Sequence, residues 1–146
     1  MKNLLFLVSL TLFQIPLSAQ ESEPIDLKEY FMDAEYFFAQ EEYLDALFDY
    51  LEIYNNGYRD NANINYRIGI CYLNIPGQKE KAISFLLEAI KGVSPKYRES
   101  TLKQIYAPVD AHLYLGNAYR VNNQLNKAIE SYNTYKELAG QSGEIQ

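Results

Sequence analysis

Along most of this chain apolar positions recur at helical spacing, and one pattern of small, aromatic and apolar residues returns three times. From Ala34, Phe37 follows at +3, Ala46 at +12, Tyr50 at +16 and Ile53 at +19. From Gly69, Tyr72 follows at +3, Ala82 at +13, Leu86 at +17 and Ala89 at +20. From Gly116, Tyr119 follows at +3, Ala128 at +12, Tyr132 at +16 and Tyr135 at +19. A small residue and a ring three positions on share one helix face. The later positions continue the apolar stripe of a second helix. Short polar segments separate the two helices of each unit: Gln40-Glu41-Glu42, Asn74 to Gln78, and Asn122-Asn123-Gln124. Each unit therefore predicts a helical hairpin in which Gly or Ala lets the two helices approach closely. One such hairpin cannot bury its apolar face alone and must stack on a neighbour.

These positions resemble the tetratricopeptide repeat family. The small-x-x-aromatic motif of its first helix stands here as Ala34/Phe37, Gly69/Tyr72 and Gly116/Tyr119, and the motif of its second helix as Ala46/Tyr50, Ala82/Leu86 and Ala128/Tyr132. The resemblance covers residues 27–142, with repeats at about 27–60, 62–95 and 109–142. It implies an all-α fold, a right-handed α-solenoid of about three hairpins. Ala34 to Gly69 spans 35 residues, close to the family period of about 34. Gly69 to Gly116 spans 47, so residues 96–108 are an insert. Ser94-Pro95 reads as a helix N-cap followed by proline at the first helical position, so the insert is expected to be helical. Pro108 then opens the third hairpin.

The N-terminus reads differently. Lys2 precedes a largely apolar run from Leu4 to Phe13, Pro16 breaks it, and Leu17-Ser18-Ala19 is a small-residue cleavage site. Residues 1–19 are thus expected to be a secretory signal peptide, giving a mature start at Gln20. The run is shorter than the roughly 20 residues that span a bilayer, and no later segment is long enough, so no membrane span is expected in the mature chain. Residues 20–26 read as a polar linker and residues 143–146 as a tail. The expected location is exported, periplasmic or associated with the outer membrane.

Charge and candidate chemistry narrow the function. The net charge is -6, and no basic cluster is visible. Phosphate contacts need a Lys/Arg surface, so nucleic acid is not an expected partner. One cysteine and one histidine cannot build a zinc site without scattered carboxylates. His112 and Cys71 read as packing residues. Asp45/Asp49 read as a solvated helix face and Glu41-Glu42 as a turn, and no Asp-rich calcium loop or glycine-rich phosphate loop is present. The chain is expected to be non-catalytic and to carry no cofactor.

Binding remains. The resemblance implies a concave groove lined by first-helix residues: Lys28, Phe31, Glu35 and Phe38, then Asn63, Tyr66, Ile70 and Leu73, then Asp110, Leu113, Asn117 and Arg120. Phe31 and Glu35 stand where the subtype that clamps C-terminal carboxylates carries Lys and Asn, so that mode is disfavoured. The groove instead suits an extended or helical protein segment with apolar anchors. The phrase YAPVDAHLYLGNAYR, with the signal peptide and the insert, also resembles the N-terminal module of exported envelope proteins that continue into a β-propeller and an OmpA-like domain. That implies an envelope or secretion-machinery partner, with peptidoglycan binding only if such a downstream domain exists. The aromatic richness leaves an alternative, a carbohydrate-binding or uptake accessory protein. The third hairpin is expected to end near Leu138-Ala139-Gly140 without a polar capping helix, so it is expected either to meet a partner or to lead into further sequence.

Overall fold

The computed structural model describes residues 25–143. The expected signal peptide and most of the linker fall outside the described residues, as does most of the tail. Among the described residues there are six α-helices: α1 (Leu27–Ala39), α2 (Tyr43–Ile53), α3 (Ala62–Asn74), α4 (Lys81–Ala89), α5 (Asp110–Val121) and α6 (Leu125–Gly143). They pair as three hairpins, α1 with α2, α3 with α4 and α5 with α6, and α2 packs on α3 as α4 does on α5. Among the described residues the only β-type pairing is an isolated bridge between Val93 and Ala107.

Local signals start and stop these helices. Asp26 caps α1, its Oδ1 accepting the amides of Lys28 (2.9 Å) and Glu29 (3.3 Å). Asn61 caps α3, accepting the Ile64 amide at 3.0 Å. Such caps satisfy amides that have no partner within the helix. In the turns of hairpins one and three, Glu41 (φ 62°) and Asn123 (φ 58°) are left-handed. The following amides of Glu42 and Gln124 return to the Phe37 and Tyr119 carbonyls, each at 2.9 Å. This six-to-one closure is the Schellman form of helix ending. Gly77 (φ 76°) stands five residues before Ala82, as Glu41 and Asn123 stand five before Ala46 and Ala128. A left-handed residue therefore recurs at this place in all three turns, but hairpin two closes differently: α3 ends on an extended Ile75, and the Gln78 amide returns to the Ile75 carbonyl at 3.2 Å.

The repeated positions form the core. Ala34, Ala46, Tyr50 and Ile53 are fully buried in hairpin one, as are Ala82, Leu86 and Ala89 in α4. The glycines mark close approach. A Cβ at Gly69 would lie 2.6 Å from Leu86 Cγ, and one at Gly116 would overlap the Tyr132 ring. The stacking stripes of the later first helices, Ile64/Ile68/Cys71 and Ala111/Leu115/Ala118, are buried. Their counterparts in α1 are Glu29, Asp33 and Tyr36, all exposed. No hairpin among the described residues precedes α1, so charged side chains are tolerated there.

Two expectations are corrected. The insert is not helical: after one 3-10 turn at Ile90–Gly92, the chain to Val109 runs in turns and irregular backbone. Ser94 does cap, but only a turn, its Oγ accepting the Lys96 amide at 3.2 Å. With Lys, Arg and Glu interrupting the apolar residues there, the segment has no stripe to bury as a helix. In addition, α6 does not stop near Leu138-Ala139-Gly140 but continues to Gly143. Gly140 is exposed, with nothing within 4 Å of a Cβ position, so nothing forces the helix to end there.

Candidate partner-binding face

The first helices α1, α3 and α5 carry the twelve residues read as a groove. Lys28 and Arg120 are exposed, and Glu35, Phe38, Leu73, Asp110, Leu113 and Asn117 are half-buried. Phe31, Asn63, Tyr66 and Ile70 are buried, Asn63 completely. The face is therefore closed around α3 and open toward α5.

At Asn63 the insert closes it. Residues 96–107 lie against the start of α3 and reach α1 through a chain of polar contacts. Ser100 Oγ donates to Glu35 Oε1 at 2.8 Å and accepts from Asn63 Nδ2 at 3.1 Å and Arg67 Nε at 3.3 Å. The Tyr97 hydroxyl donates to Asn63 Oδ1 at 3.1 Å. The main chain is held as well. Asn61 Nδ2 donates to the Gln104 carbonyl at 2.9 Å, and the Ala62 amide donates to the Ile105 carbonyl at 3.2 Å. The Ala62 amide lies in the first turn of α3, where the helix offers it no carbonyl of its own.

Glu35 is the centre of this arrangement. Its Oε1 also accepts from the Tyr50 hydroxyl at 2.6 Å, and its Oε2 pairs with Arg67 at 3.0 Å. The Arg67 guanidinium lies 4.5 Å from the centroid of the Phe38 ring, a favourable cation–π placement. Hairpin three repeats the Tyr50–Glu35 contact: the Tyr132 hydroxyl donates to Asn117 Oδ1 at 2.9 Å. In hairpin two the matching positions are Leu86 and Ile70, both apolar. The pair is thus polar on both sides or apolar on both, as burial demands. Burial pushes the Tyr50 and Tyr66 hydroxyls well above their ordinary range, so both remain neutral, and Tyr50 keeps the proton it donates to Glu35.

Toward α5 the face is looser. The Tyr66 and Tyr114 rings meet edge-on with centroids 5.7 Å apart, joining α3 to α5. Asp110 lies near Tyr135 and raises the pKa of that hydroxyl. On the opposite side, Leu87, Ile90, His112, Leu115 and Tyr119 line an open cleft of about 370 Å³. Burial lowers the pKa of His112 there. Cys71 is buried, and burial pushes its thiol up to about 12, with Arg67 opposing. No group of three or more His, Cys, Asp or Glu residues is placed to hold a metal ion among the described residues. No helix among them is long and apolar enough to cross a membrane.

Sequence reasoning missed Asn61, Arg67, Tyr97 and Ser100. One signal pointed to the first of them. Asn61, Asn63 and Asn65 alternate through the first turn of α3, and asparagine is a poor helix former unless its amide is engaged. All three are buried. Asn65 Nδ2 donates to the carbonyls of Arg59 (2.7 Å) and Asn61 (2.9 Å), tying the preceding turn to the helix.

Comparison with family models, with curated proteins and with solved structures finds no match to this chain.

Proposed function

We propose that this chain is a tetratricopeptide-repeat scaffold of the cell envelope, exported and periplasmic or outer-membrane associated, that binds a segment of a protein partner on the face lined by α1, α3 and α5. One observation carries the reading: that face already holds an irregular stretch of polypeptide, residues 96–107, through main-chain carbonyls and hydroxyls. A surface that grips one irregular chain through its hydroxyls and carbonyls is chemically suited to grip another. Leu73, Leu113, Asn117 and Arg120 extend it beyond the insert with aliphatic, amide and cationic groups. The repeat-family reading is supported by three stacked hairpins, by close helix contacts at Gly69 and Gly116, and by a left-handed residue at the same place in each turn. Export rests on Lys2, the Leu4 to Phe13 run and the Leu17-Ser18-Ala19 site. Peptidoglycan is a partner only if a separate downstream domain exists.

The test is to express the chain with its N-terminus intact in a bacterium with an envelope and place a photo-crosslinker at Leu113 or, as control, at Phe48 on α2. The expected result is a chain beginning at Gln20 in the envelope fraction, with a discrete protein adduct from Leu113 and none from Phe48. Retention in the cytoplasm would overturn the export claim. Equal crosslinking from both positions would overturn the face.

A further inference from the structure

The insert is held in an unusual way for a structural loop. Of residues 96–107 only Ala107 is buried, and Ile105 and Tyr106 are 58% and 49% exposed. Beyond Ala107, apolar contact with the core comes from Leu102, which is only partly buried. What fastens it is the set of polar contacts to Glu35, Asn61, Asn63, Arg67 and the Ala62 amide. The ends are pinned separately: Ala107 bonds Gly92 and Ser94 through main-chain contacts of 2.9 Å each. The three hairpins have their own packed pairs, Ala34/Tyr50, Gly69/Leu86 and Gly116 with the partly buried Tyr132, none of which belongs to the insert. The segment can therefore leave α3 without dismantling the array.

We propose that residues 96–107 are a built-in occupant of a polypeptide-binding site, and that the partner is an irregular, turn-containing segment presenting a hydroxyl side chain to Glu35, Asn63 and Arg67 and two successive main-chain carbonyls to Asn61 and the Ala62 amide. This rests on the proposed function above and specifies its ligand and its control. The chemistry of the site selects the ligand. Asn63 is fully buried and Glu35–Arg67 half-buried, so an apolar segment laid over them would leave polar groups unpaired. A segment that reproduces the hydroxyl and carbonyl pattern of Tyr97, Ser100 and Ile105 would not. A tethered occupant competes at an effective concentration of order millimolar. A partner therefore binds with an affinity reduced by the fraction of molecules in which the insert is displaced.

The experiment replaces residues 96–105 with a Gly/Ser linker of the same length, keeping Ala107 and the Val93 bridge. A fluorescein-labelled synthetic peptide of residues 96–107 is then titrated and followed by anisotropy. Saturable binding to the replaced chain is expected, at least tenfold tighter than to the unmodified chain. A peptide carrying Tyr97→Phe and Ser100→Ala should bind the replaced chain at least tenfold more weakly. A folded, helical replaced chain that ignores the peptide would overturn the proposal, as would equal binding by the unmodified chain. If the replaced chain does not fold, hydrogen exchange on the unmodified chain decides. The Ala62 amide, which bonds the insert, should then exchange at least tenfold faster than the buried amide of Ile68, and equal protection overturns the proposal. Peptide binding without an envelope adduct from Leu113 would leave this site standing and remove its cellular setting. An adduct without peptide binding would do the reverse.

Discussion

Replacing Gly69 by Ala tests the close helix contact on which each hairpin depends. Two effects oppose one another. Alanine is the better helix former by about 1 kcal/mol in a helix interior. Against it, the new Cβ would stand 2.6 Å from Leu86 Cγ and 2.8 Å from Cδ2. Cγ is the branch point of a fully buried side chain, so no flexible tip can swing clear. Restoring ordinary contact requires the helices or Leu86 to move by about 1 Å, and such overpacking costs about 1–3 kcal/mol. The net expectation for Gly69→Ala is a loss of about 1 kcal/mol, read from urea denaturation followed by helical circular dichroism. Leu86→Ala removes the obstacle and by itself costs about 2–5 kcal/mol. In that background Gly69→Ala should change sign and stabilise by about 1 kcal/mol, a coupling that the double-mutant cycle isolates. Leu86→Val provides a milder background if Leu86→Ala is too unstable to measure. A Gly69→Ala chain more stable than the parent, or one with the same effect in both backgrounds, would refute the packing argument.

Other consequences follow from the same geometry. Arg67→Met should lose about 1–3 kcal/mol in urea denaturation, because it strips the cation from a half-buried carboxylate that Tyr50 and Ser100 still contact. Glu41→Gly should gain about 1 kcal/mol by the same assay, since Glu41 holds the left-handed conformation that Gly77 adopts without a side-chain clash. His112 has its pKa lowered from 6.5 by burial, so its neutral form is the one the fold favours. Its contribution is constant above pH 6.5 and is lost as the pH falls from there through the folded pKa, because the unfolded chain takes up the proton first. Comparing stability against pH for the parent and His112→Gln should show this extra acid sensitivity only in the parent. Cys71, buried and with its thiol pushed up to about 12, should resist a thiol-specific disulfide reagent at pH 8 in the folded chain and react promptly in denaturant.

The helical hairpins were legible because their evidence is local. A small residue at 34, 69 or 116 and a ring three positions later lie on one turn of one helix. The partner helix begins within a dozen residues, so spacing alone places Ala46, Ala82 and Ala128 opposite them. The length of the gap between Gly69 and Gly116 located the insert for the same reason. Its conformation was misjudged because Ser94-Pro95 is equally able to cap a helix or a turn. Nothing in the next ten residues supplies the apolar period that would choose the helix.

The sequence by itself determined the all-helical architecture, the pairing within each hairpin and the position of the break. Only the tertiary structure decided which face stays open. Asn61 meets Gln104 across 43 residues, Asn63 meets Ser100 across 37, and Glu35 meets Ser100 across 65. Contacts at such separations leave no periodic trace along the chain, because each depends on how separate hairpins and the insert come together in space. Read alone, Glu35 and Asn63 were candidates to touch a partner. Folded, they hold the chain's own Ser100, and Asn63 also holds its Tyr97.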